Sequence, residues 1–132
     1  MGMERDELLR YWMETAERDC ATMQHLYDSG DYAWCLFVGH LVIEKLLKAC
    51  YVKRHGVQAP KTHGLVRLVE LAGLETDADT NKSLDTFTLF NIRARYPDRK
   101  RDLHAKATRE YAIEQLERLE RIREWLLKKL SE

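Results

Sequence analysis

The sequence predicts an all-α fold, an antiparallel up-and-down bundle of four long helices plus one short helix, forming a single domain over residues 1–132. Three observations predict it. Only two prolines and six glycines interrupt the 132 residues. Apolar side chains recur at three- and four-residue spacing, while strand-like alternation is nearly absent. The length suits one ordinary domain with a single core.

The first helix is expected from about Glu4 to Ser29. Leu8, Trp12, Ala16, Met23 and Tyr27 recur on it at helical spacing before Gly30 ends it. Asp31 offers a cap to the second, DYAWCLFVGHLVIEKLLKACYVKRH, which stops at Gly56. Apolar residues cover most of its circumference, so it is expected to be the buried central helix. In GVQAPKT, Pro60 discourages helix and Thr62 offers a cap to the short third helix, HGLVRLVELAG. A fourth is expected from about Ala78 to Arg95. It stops there because Pro97 lacks a backbone donor and disfavours α geometry at Tyr96. The last starts near Thr108 and runs to Leu130, with Ala112, Leu116, Leu119, Leu126 and Leu130 as its buried stripe, flanked by Ile122 and Trp125.

Composition narrows the functional classes. Apolar residues make up 45% and charged residues 33%, as in soluble globular domains. Lys+Arg and Asp+Glu are both 22, so any attraction to nucleic acid must come from a local patch. There is no signal-peptide-like or membrane-spanning run, and the three cysteines form no CxxC pair, which together suggest a cytoplasmic protein with reduced thiols. Cys35 and Cys50, on one helix, would lie roughly 22 Å apart and beyond bridging. Cys20, Cys35 and Cys50 therefore read as small apolar packing residues. No glycine-rich phosphate loop and no cofactor signature is present. His40 and Glu44 share a helix face, but one such pair is too few ligands for a metal site.

Three short words carry a resemblance. GDYAWCLFVGHLVIEKLLKACYV contains an EK pair and a second lysine, here Glu44, Lys45 and Lys48. PKTHGLVRLVE opens a helix with a Thr-His pair, of which the histidine is His63. RARYPD, which includes Asp98, ends the fourth helix. In this order the three words resemble the HEPN domain family of bacteria and archaea, over nearly the whole chain. The resemblance implies a helical bundle, commonly a homodimer, that works with RNA or nucleotides. Many members resemble toxins paired with a minimal nucleotidyltransferase as antitoxin, particularly in the branch with the ARYPD word. Active members resemble metal-independent endoribonucleases, with an arginine, a polar residue after it and a histidine four to six positions beyond the arginine.

Within NIRARYPDRKRDLH, five cations fall in nine positions: Arg93, Arg95, Arg99, Lys100 and Arg101. Arg99 and His104 have the family's catalytic spacing, although Lys100 stands where active members carry Asn, Asp or His. Such a pair is chemically sensible, His104 moving protons and Arg99 holding phosphate through two parallel donors. On one continuous helix, however, residues five apart lie about 140° from each other. A second reading asks only for proximity. The five cations, with Lys106 and Arg109, form a positive edge that grips phosphate, and Tyr96 is placed to stack on a base. A third reading makes the segment a solvated connection in which Asp98 and Asp102 pair with neighbouring arginines. For Glu44 the expected role is an ion pair with Lys45, Lys48 or an arginine of RARYP, and for His63 it is to hold its loop in place. Trp12, Trp34 and Trp125 read as core or interface residues.

Overall fold

The computed structural model describes residues 4–132, except for the side chain of Pro97. Among the described residues every regular element is a helix: α1 (Arg5–Asp28), α2 (Tyr32–His55), α3 (Leu65–Leu71), α4 (Ala78–Arg95), α5 (Pro97–Lys106) and α6 (Arg109–Ser131). None of them is long and apolar enough to cross a membrane.

Helix α2 is the axis of the molecule. Fourteen of its 24 residues are buried, and each of the other five helices packs against it. Gly39 marks the tightest approach: a Cβ there would stand 2.6 Å from Leu119 Cδ1 of α6 and 3.3 Å from Met23 Sδ of α1. The helix ends at Gly56, whose φ of 75° is a left-handed conformation costly for other residues, and whose N–H donates to the Val52 carbonyl at 2.8 Å. Around α2 the core closes with Leu65 and Leu68 of α3, Leu84, Phe87 and Phe90 of α4, and Leu119 and Leu126 of α6. Each such side chain, fully buried, contributes about 1.5–3 kcal/mol of transfer free energy.

Two expected caps differ in detail. Asp31 occupies the N-cap of α2 but its side chain makes no capping bond, because its backbone (φ −91°, ψ 71°) is outside the extended region that aims a carboxylate at the first turn. Thr62 does not cap α3. Its hydroxyl accepts from the Gly64 N–H at 3.3 Å, and the Leu65 N–H donates across to the Thr88 hydroxyl of α4 at 3.2 Å. At α4 and α6, Asp77 and Thr108 do cap, accepting from Thr80 N and Tyr111 N. The backbone N–H of Thr80 holds the Asp77 carboxyl below its ordinary pKa. On α6, Gln115 and Ile122 join Ala112, Leu119, Leu126 and Leu130 on the buried stripe, and Leu116 is only partly buried.

The main departure is α5. The segment after Arg95, expected to be a connection, folds into a sixth helix of 10 residues. Pro97 does terminate α4, since Tyr96 is extended at ψ 127°. It also starts the next helix, because a fixed φ and an absent donor suit a first helical position. Leu103 and Ala107, which reach the core, then hold α5 down. Cys35 and Cys50 are buried, and loss of solvent pushes their thiols up to about 11 and about 12. Partly buried Cys20 is raised for the same reason, so all three behave as packing groups.

Candidate functional site

Helix α2 carries charge into the interior through His40, Glu44 and Lys48, spaced four apart so that they stack on one face. Glu44 is their hub. One carboxylate oxygen accepts from His63 Nδ1 at 2.7 Å, and the other faces Lys48 Nζ at 3.4 Å. Lys48 Nζ also lies 5.1 Å from the centroid of the partly buried Trp12 ring. His40 Nε2 donates to the His63 carbonyl at 3.2 Å, leaving its Nδ1 to accept from Asn91 of α4 at 3.5 Å. Burial holds the His40 imidazole below its usual pKa, so it is neutral.

The backbone and ring of His63 are thus both bonded to α2. The Thr-His and EK words of the sequence meet here in space. Lys45, however, is not a partner of Glu44. It points to α1 and pairs with Asp19 at 2.6 Å, because adjacent helical residues lie about 100° apart. An arginine of RARYP does reach the cluster, but through the histidine: Arg95 NH2 is 3.3 Å from His63 Nε2. Among the described residues no group of three or more His, Cys, Asp or Glu side chains is arranged to hold a metal ion.

The cations of residues 93–109 lie where α4 ends, α5 runs and α6 begins. They do not share one face. Arg93 and Arg95 lie about 200° apart on α4. Burial pushes the Tyr111 hydroxyl of α6 up and the nearby charge of Arg93 partly offsets this, while Arg95 meets His63. Lys100 Nζ stands 4.8 Å from the Trp34 ring centroid, and Lys106 Nζ 5.2 Å from that of Tyr111. Arg109 sits by the Tyr27 hydroxyl. Among the described residues none of Arg93, Arg95, Arg99, Lys100, Arg101, Lys106 and Arg109 forms an ion pair with a carboxylate. Asp98 and Asp102 are exposed and pair with none of them, and Asp98 lies in the first turn of α5, where the helix dipole favours it. Tyr96 is 57% exposed.

Arg99 and His104 occupy the same short helix, on either side of buried Leu103. Five residues apart, they diverge by about 140° and do not converge within one chain. His104 shares its flank of α5 with Lys100 instead, four positions earlier.

The HEPN domain profile matches residues 9–130. No curated protein matches. Among solved structures, the crystal structure of TT1696 from Thermus thermophilus is similar, with a TM-score of 0.76 and 27% identity over 92% of this chain and 97% of that one. The matched profile reaches into all six helices around Glu44, His63 and the α4–α5 joint, and the chain belongs to the HEPN domain family.

Proposed function

We propose that this HEPN domain binds RNA or nucleotide through residues 93–109, as the toxin-like partner of a minimal nucleotidyltransferase. One observation carries the reading: seven cations collect at the α4–α5–α6 junction, and among the described residues no carboxylate pairs with any of them. On a chain whose charges balance overall, unneutralised cations beside an exposed tyrosine suit a phosphodiester and a base. The exposed Leu89 and Ile92 of α4 support a homodimer, which would double the number of such junctions. The ARYPD word supports the nucleotidyltransferase pairing. Contacts from the start of α1 and the end of α6 to Lys53, near the end of α2, support an up-and-down course for the long helices.

The test is titration of a labelled single-stranded RNA across a range of salt. The plot of log K against log salt is expected to lose roughly 0.7 of slope for each phosphate-contacting cation removed, as in Arg99→Ala, Lys100→Ala and Arg101→Ala. Absence of binding at low salt overturns the reading. RNA cleavage abolished by both Arg99→Ala and His104→Ala, with the fold intact, replaces it with an endoribonuclease. That outcome requires a second copy to bring the two residues together.

A further inference from the structure

His63 is an exposed residue anchored from beneath by buried groups. Its carbonyl accepts from buried His40 and its Nδ1 donates to buried Glu44, while 47% of the side chain remains open to solvent. A carboxylate only accepts, so Nδ1 carries the hydrogen and the neutral ring presents its Nε2 lone pair outward. Arg95 approaches that nitrogen at 3.3 Å. Glu44 from α2 and Arg95 from α4 meet the ring, His40 meets the backbone carbonyl of His63, and Lys48 stands against the other oxygen of the Glu44 carboxylate. With His40 neutral, Glu44 is the single anion against the two cations Lys48 and Arg95. The cluster therefore has one positive charge in excess, and a solvent-facing nitrogen that is a donor only when protonated.

We propose that Arg95 and His63 form a proton-coupled seat for a phosphate group of a nucleotide. The inference rests on the reading that this end of the domain contacts phosphate, and it names the residues and the linked proton. The Arg95 guanidinium supplies fixed donors. His63 takes one proton from solvent at Nε2 as the phosphate arrives, and the imidazolium so formed is stabilised by the Glu44 carboxylate behind it. A phosphate dianion together with that proton brings the cluster to neutrality. No covalent bond forms or breaks. His63 and Arg95 contact the ligand directly, whereas Glu44 and His40 act as positioning residues.

Calorimetric titration with inorganic phosphate, a mononucleotide and a 5′-phosphorylated RNA oligonucleotide, each in two buffers of different ionisation enthalpy, tests the seat. Proton uptake approaching one per bound phosphate is expected. Above the phosphate's own second pKa of about 6, affinity should tighten by up to roughly tenfold per pH unit as pH falls from about 8. Below it the ligand brings the proton, and both uptake and pH dependence fade. His63→Gln should remove both the uptake and the pH dependence, Arg95→Gln should weaken binding at every pH, and His104→Gln should leave the pH dependence intact. A 5′-hydroxyl oligonucleotide binding with the same uptake assigns the seat to the internal phosphodiester, and loss of uptake assigns it to the terminal phosphate. Should His63→Gln not fold, NMR of the His63 ring in the intact protein gives the same answer, with Nε2 gaining a hydrogen when phosphate is added. Binding that is flat with pH, or His63→Gln retaining wild-type pH dependence, overturns the seat and leaves the basic-segment reading standing. Failure of the intact protein to bind any of these probes at low salt overturns both.

Discussion

The chain places positive charge in two contrasting ways. Lys48 is buried, with Glu44 at 3.4 Å and the Trp12 ring beneath it. On α5, Arg99, Lys100 and Arg101 are exposed, and among the described residues no carboxylate pairs with them. A buried charge must be matched within the fold, since an unmatched one costs several kcal/mol. An exposed charge is matched by water and is therefore available to something else. Charges of the first kind hold the structure; those of the second kind are open to a ligand. Arg95 stands between the two, exposed itself but touching the histidine that the buried set holds.

Breaking the interior set should have the largest effect. Glu44→Ala leaves Lys48 without its carboxylate and His63 without its anchor, and should cost about 3–5 kcal/mol in urea unfolding. A much smaller loss would mean that Lys48 reaches water, which would blur the contrast. The next effect is pH dependence. His40 is neutral in the fold because burial lowers its pKa, whereas the unfolded chain carries an ordinary imidazole near 6.5. Below that value the unfolded state binds more protons, so stability present above pH ~6.5 is lost as pH falls toward the lower, folded pKa. Unfolding midpoints measured at pH 7.5 and 5.5, roughly either side of the ordinary imidazole value, should show the decline, and His40→Gln should flatten it. The smallest effect belongs to α5: Arg101→Ala should leave the unfolding midpoint where it is. A clear drop in that midpoint would show the segment to be structural after all.

Helices α1 and α6 were legible because each alternates core and solvent positions over many turns, and α2 because its apolar residues run most of the way round. Leu8, Ala16 and Met23 on α1, and Ala112, Leu119 and Leu126 on α6, made that pattern plain. Helix α5 was not legible. Among the described residues Leu103 is its single fully buried side chain, so no repeat could form, and a proline that ends one helix looks the same in sequence when it also begins another. At the site, Lys48 was readable from Glu44 by simple four-residue spacing. The bond to His63 was not, since it closes a loop 19 residues long, although the residue itself stood out in the Thr-His pair. Neither could spacing show that Arg93 and Arg95, two apart, serve different neighbours.

The junction between α4 and α5 has a mechanical meaning. Tyr96 is the C-cap of one helix and the N-cap of the next, and the Arg99 and Lys100 amides both bond back to its carbonyl. A single residue thus sets the angle between two rigid rods, and with it the separation between guanidiniums on either rod. Such a corner works as a gauge. It favours polyanions whose charges repeat at a matching interval, and a glycine inserted beside Tyr96 would loosen the gauge without removing any of its marks.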